Sequence, residues 1–328
     1  MRWRQRGFRA AALVALAARM SRALITTVAV VALSACGGHA FGISPQGIAF
    51  GLAAPKRIPL DAHSNGVAVR PSDGAVFITD DRTNTVLTSA DGVTFTAYAA
   101  IPVVSDQANA LSQLTFSPSG VLFAERFGFG TASAVYAITD RGAVAALSGP
   151  DPARRRLGLV SVGEGELLST WFVKDGASPP QGGLSLLTYD AATHTALERD
   201  LLTGLGKPVG VAVFSGTVFV SDQANNRIVE ANVEQLLNAP QPLTSAATFA
   251  KIDSPDLLAV DASGTLYTKC NRSGLCKIAP DGTVDVLADD FQNARGVATD
   301  TARHKLYAID RAASKSSASY LRVFWLKY

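Results

Sequence analysis

One phrase recurs along this chain, and it constrains the fold more than any other feature. Gly66-Val67-Ala68-Val69, followed by Gly74-Ala75-Val76-Phe77-Ile78-Thr79-Asp80, returns as Gly210-Val211-Ala212-Val213, followed by Gly216-Thr217-Val218-Phe219-Val220-Ser221-Asp222. Leu258-Ala259-Val260 with Gly264-Thr265-Leu266-Tyr267 repeats it, as does Gly296-Val297-Ala298 with Leu306-Tyr307-Ala308-Ile309-Asp310. Two weaker copies, Gln113-Leu114-Thr115-Phe116 with Gly120-Val121-Leu122-Phe123 and Gly158-Leu159-Val160-Ser161 with Glu166-Leu167-Leu168-Ser169, fill the interval. Self-similarity at a period of roughly 40–50 residues marks an array of supersecondary units, none of which buries its apolar face alone.

Within a unit the pattern is that of a sheet. A short uncharged apolar run suits an inner strand covered on both faces, and a Gly or Asp turn leads to a second strand that ends in a carboxylate. Turn chemistry at Asp91-Gly92, Asp140-Arg141-Gly142 and Asp281-Gly282 joins a third strand to a fourth. Four antiparallel strands per unit predict a propeller blade, and six units predict an all-β, six-bladed propeller over residues 56–328. The sixth unit ends after its third strand, so Lys56 to Leu60 is expected to supply the missing outer strand and leave no open sheet edge.

The first 55 residues stand apart from the repeat. Six arginines (2, 4, 6, 9, 19 and 22) precede an uncharged stretch at 23–35, and the first acidic residue is Asp61. That layout predicts a secretory signal over 1–35; the apolar run is shorter than the roughly 20 residues a membrane span needs. Residues 20–36 alone make a complete shorter signal, so translation from Met1 and from Met20 both remain open. Leu33-Ser34-Ala35-Cys36 resembles the lipobox of bacterial lipoproteins, which implies acylation of Cys36, a tether over 36–55 and retention at a membrane through lipid alone. Gly37 after it resembles the outer-membrane sorting pattern, implying the periplasmic face. Once the signal is set aside, 24 Lys and Arg face 27 Asp and Glu, a net charge of −3. Nucleic acid is therefore not an expected partner. Cys270 and Cys276 flank an Asn-Ser-Gly turn, and an oxidising compartment favours a disulfide between them.

The wording of the repeat, clearest in Val218-Phe219-Val220-Ser221-Asp222-Gln223-Ala224-Asn225-Asn226-Arg227-Ile228, resembles the NHL-repeat and SMP-30/gluconolactonase-like superfamily of six-bladed propellers. The resemblance implies a site where the residues preceding each inner strand converge: Asn65, Ser112, Leu157, Val209, Asp256 and Arg295. It also implies a divalent metal such as calcium. Asp256 stands where those enzymes carry an aspartate ligand, Asn65 where they carry a glutamate, and Val209 where they carry an asparagine. Candidate ligand-binding residues are thus Asn65, Glu125, Asp256 and Arg295, with Asp256 and Asn65 as the metal candidates. Glu125 qualifies as a second-strand carboxylate beside Arg126-Phe127-Gly128-Phe129-Gly130, a loop with the composition of a ligand lid.

Two functions are open from the sequence. One is a membrane-anchored binding module for a small polar ligand, a glycan or a protein; the other is a metal-dependent lactonase, hydrolase or lyase. A quinone-dependent sugar dehydrogenase is a third, resting on similar blade wording.

Overall fold

The computed structural model describes residues 55–327 apart from 108, 129–132, 175 and 315–317. Cys36, the signal and most of the tether lie outside the described residues. Six four-stranded antiparallel sheets follow one another. The first consists of Val67–Val69, Val76–Asp80, Thr85–Ser89 and Thr96–Ala100. The sixth takes Ala294–Asp300, Lys305–Asp310 and Ser319–Trp325 from the end of the chain and Lys56–Leu60 from its beginning. Lys56 lies opposite Val323 and Leu60 opposite Ser319, so the closing strand supplies the edge that this blade lacks. Its Ile58 and Leu60 are buried among Val67, Val76, Ile309, Leu321 and Val323, in a cluster that joins blade six to blade one. Burial at that level contributes roughly 1.5–3 kcal/mol per side chain.

All six inner strands face one channel, whose lower part is lined by Val69, Thr115, Val160, Val213, Val260 and Thr299, one from each blade. The glycine that opens the repeat phrase has a packing cause. A Cβ on Gly66 would lie 1.9 Å from the carbonyl oxygen of Ser112, one on Gly158 2.2 Å from that of Val209, one on Gly210 2.4 Å from that of Asp256, and one on Gly296 2.2 Å from that of Asn65. Each of these oxygens belongs to the residue leading into the next blade. Four of the six blade junctions are therefore close backbone approaches that only glycine permits.

The carboxylates that end the second strands are structural. Asp80 accepts from the backbone N–H of His63 at 2.8 Å, Asp222 from Gly206 at 2.9 Å and Asp310 from Gln292 at 2.8 Å. In each case the acid holds the segment that enters its own blade. Asp222 also holds the turn that follows it, accepting from the Asn225 side chain at 2.7 Å. Asp80 instead accepts from the Thr83 hydroxyl at 2.9 Å. Cys270 and Cys276 are bonded across their turn, a closure contributing about 2–2.5 kcal/mol on the chain-entropy account. No helix among the described residues is long and apolar enough to cross a membrane.

Candidate functional site

The six residues that lead into the inner strands, Asn65, Ser112, Leu157, Val209, Asp256 and Arg295, all border one cavity of about 260 Å³ at the mouth of the channel. They meet there because each sits at the start of a strand that runs down the channel wall. A second tier comes from the loops after the second strands. Asp81, Gln223 and Arg311 each follow the carboxylate of their blade, and Phe127 holds the matching place in blade two. Lys207 completes the rim.

The cavity wall is uneven, with linked charges on blades five, six and one and an apolar patch, interrupted by Ser112, Lys207 and Gln223, on blades two to four. Phe127, Leu157 and Val209, on blades two to four, are apolar. Opposite them, blades five, six and one present a linked polar group. Arg311 donates from Nε to His63 Nε2 at 2.7 Å, reaches Asp81 Oδ2 at 3.2 Å and also donates to the Asn65 side-chain oxygen. Asn65 Nδ2 in turn donates to Asp81 Oδ2 at 2.7 Å and to the Leu111 carbonyl at 3.0 Å. Asp81 Oδ1 accepts from the Leu111 N–H at 2.8 Å. Burial pushes the Asp81 carboxyl up to about 6 against the pull of Arg311. Burial also lowers the Arg311 guanidinium; Asp81 opposes that shift and the positive charge of Arg295 adds to it. His63 is lowered first by burial and then by Arg311.

Across the mouth, Arg295 Nη1 donates to Asp256 Oδ2 at 3.0 Å, while its Nε is buried without a hydrogen-bond partner. Lys269, next along, is lowered by burial; Asp256 opposes this and Arg295 reinforces it.

Glu125 requires a correction as a mouth residue. Counted from the register pairs Ala68 with Phe77 and Thr115 with Phe123, it occupies the place of Thr79, one residue short of the strand-ending acid. It is fully buried between blades two and three and does not border the cavity. Its Oε1 accepts from the Ser169 hydroxyl at 2.6 Å and its Oε2 has no partner. Burial pushes its carboxyl up to about 8, only partly offset by Ser169 and Arg156. With the folded value above the ordinary 4.5, the folded state holds an extra proton between those limits. Stability from this group is full below about pH 4.5 and lost as pH rises through about 8. Urea unfolding should therefore give a smaller stability at pH 9 than at pH 6, and Glu125→Gln should flatten that difference; an unchanged slope in the variant counts against a protonated Glu125. Of the aromatic loop beside it, Phe127 reaches the mouth, whereas Phe129 and Gly130 lie outside the described residues.

The donor set does not fit a divalent cation. Calcium takes six to eight oxygens, but the Asp256 carboxylate is paired with Arg295, the Asn65 oxygen accepts from Arg311, and Val209 and Leu157 offer no side-chain oxygen. No cluster of three or more His, Cys, Asp or Glu suited to a metal occurs among the described residues.

The mouth residues that the sequence did not point to are Lys207, Gln223, Arg311 and, as an inward-facing group, Asp81. The signal that could have found three of them is positional: each is the residue immediately after a strand-ending aspartate.

No family model matches the chain, and no curated protein matches it by sequence. Solved structures do. A gluconolactonase from Xanthomonas campestris is similar at 15% identity and a TM-score of 0.64, covering 83% of this chain and 90% of its own. An aldose sugar dehydrogenase from Streptomyces coelicolor in its PQQ-bound form is similar at 12% identity and TM-score 0.60, covering 81% and 95%. Regucalcin from Agrobacterium tumefaciens, described as a calcium-binding protein, is similar at 13% and 0.58, covering 83% and 96%. At these identities the likeness is one of fold, and it is the six-bladed propeller fold expected from the wording of the repeat.

Proposed function

We propose that the protein is a cell-envelope propeller that binds a small polar molecule in the mouth of its channel, held at the periplasmic face of the outer membrane through a lipid on Cys36. The observation that carries this reading is convergence: six lead-in residues and four that follow or match the second-strand ends, from all six blades, border one concave site with linked charges on one side and an apolar patch on the other. Ligand sites in folds of this kind combine an apolar wall with a few oriented polar groups, and this mouth has both. A site of about 260 Å³ lies near the lower end of the roughly 300–1,000 Å³ of small-molecule pockets, which suits a compact ligand.

A second reading, a lactonase-type hydrolase, is favoured by the fold likeness to a gluconolactonase, and on the comparisons alone it stands ahead of the first. The donor set described above favours the binder. Metal analysis of the purified mature chain separates them when combined with thermal melts in calcium, manganese, zinc or chelator and with an assay for gluconolactone hydrolysis. The binding reading expects no retained metal, no chelator effect on the melt and lactone turnover no faster than that of Asp256→Ala. A stoichiometric metal that is lost in Asp256→Ala together with lactone hydrolysis would establish the hydrolase instead.

A further inference from the structure

The chain enters the propeller on the face remote from the mouth. Asp310, the neighbour of the mouth residue Arg311, pairs with Tyr320, whereas Lys305, roughly 17 Å down the same strand, pairs with Trp325. Lys56 lies opposite Val323, near the Trp325 end. Pro55, the first described residue, therefore sits at the far end of blade six, where it borders a groove of about 440 Å³ between blades five and six. Leu287, Phe324, Trp325 and Leu326 give the groove an apolar lining, and Trp325 is 54% exposed. Lys305 Nζ lies 5.2 Å over the Trp325 ring, and Lys327 is exposed beside it. The carboxylate in the lining, Asp261, is turned to its own blade: it is 4% exposed and accepts from the Ser263 N–H and the Tyr267 hydroxyl, both at 2.8 Å. Lys277, also on the rim, has Asp285 at 3.6 Å. What this end of the propeller presents outward is thus an apolar strip with an indole and lysines at its edge.

We infer that this groove is a membrane-docking surface: Trp325, Leu326 and Lys327 seat at the headgroup level of the bilayer that holds Cys36, and the mouth is turned to the opposite, aqueous side. This rests on the lipid-anchored reading proposed above and adds the face by which the protein meets the membrane. A bilayer is selected as the occupant by where the remaining chain departs, since Pro55 is part of the groove wall and residues 37–54 separate it from Cys36. A link of that length spans at most about 65 Å when fully extended, so a lipid on Cys36 keeps the groove at a high local concentration of membrane, and weak contacts suffice. Indole rings collect at the membrane–water boundary because one edge is apolar and the N–H stays wet, and lysines beside them meet anionic headgroups. Trp325 with Lys305 and Lys327 has that composition. Lipid attachment is steadied by a second, protein-borne contact, and the groove supplies one on the side from which the chain leaves.

The test is tryptophan fluorescence of the chain purified from its membranes and reconstituted into vesicles of phosphatidylethanolamine and phosphatidylglycerol, with mass spectrometry of Cys36 alongside. After removal of the signal only Trp171 and Trp325 remain, and Trp171 is buried. Lipids brominated on their acyl chains are expected to quench Trp325 emission, taken as the difference between the chain and Trp325→Phe, about twofold or more, as for an indole at the edge of the hydrocarbon. Trp171, which is all that Trp325→Phe keeps, should be unaffected. Lys327→Glu should lose part of the quenching on vesicles rich in phosphatidylglycerol. In the Cys36→Ser chain in solution, iodide should reach Trp325. An acylated, vesicle-bound chain whose Trp325 is not quenched overturns the docking surface and leaves the anchor standing. An unacylated Cys36 overturns the anchored reading and the inference with it. If iodide is already excluded from Trp325 in solution, the cover is the chain itself, or a second copy where exclusion grows with protein concentration, and either result overturns the inference.

Discussion

Gly66→Ala is expected to destabilise the protein by about 3 kcal/mol or more, at the upper end of what overpacking costs. The added Cβ would fall 1.9 Å from the Ser112 carbonyl oxygen. Real Cβ atoms do not approach so closely, and the atom in the way is backbone. Relief requires blade one and blade two to move apart at the channel, and the clusters on either side of that junction are close-packed. Phe77 is fully buried there, with edge-on ring contacts at 5.1 Å to both Tyr98 and Phe116. Gly163→Ala provides the control, since its nearest obstacle is the flexible end of Glu166 at 3.2 Å. Denaturant melts of the two variants side by side check the claim. A Gly66→Ala protein as stable as Gly163→Ala would mean that the blades slide freely and that the repeat glycines have some other cause. The same substitution at Gly210 would press on the Asp256 carbonyl and the Leu258 N–H, so it should disturb ligand binding as well as stability.

Glu198→Ala should destabilise blade three by about 3–5 kcal/mol, the range for stripping one partner from a buried ion pair. Arg156 is 1% exposed, and Glu198 Oε2 accepts from it at 2.7 Å. Removing the carboxylate leaves a guanidinium enclosed with only hydroxyl and carbonyl contacts, at Ser169 and Asp151. Arg156→Met is expected to cost less, because Glu198 keeps Arg154, whose Nη1 lies 2.6 Å from its other oxygen and whose guanidinium stacks 3.8 Å over Trp171. The asymmetry is the informative part. Thermal and urea melts that place the two variants level would mean that the network is not organised around Glu198.

The blades were legible because their words repeat, and the words repeat where blades meet the same physical demands: β-branched residues for the channel wall in all six, glycine for the close approach to the next blade in four, aspartate to hold the lead-in in blades one, four and six. Closure was legible from a deficit, a sixth unit one strand short. Glu125 was misplaced because blade two breaks the final word: its second strand, Leu122–Gly128, runs past the point where blades one, four and six carry aspartate and has Arg126 there. An acid one residue early on a strand faces the other side of the sheet, and that side is the packed junction with blade three. Asp256 and Asn65 are where their spacing placed them; what sequence could not supply was their partners. Arg311 is 246 residues from Asn65 along the chain and meets it only because the ring closes. Pairings that exist through closure leave no local trace.

The seam between Lys56–Leu60 and Ser319–Trp325 has a consequence for assembly. Every other blade can form from one contiguous stretch as it leaves the ribosome, but the last sheet must wait for its own opening residues to return. Its completion is then a long-range encounter between distant parts of one polymer, slow by topology and cooperative in effect. Arg311, leaving the second strand of that blade, meets His63, Asn65 and Asp81 of blade one through the same closure, so the polar side of the mouth and the ring are completed together.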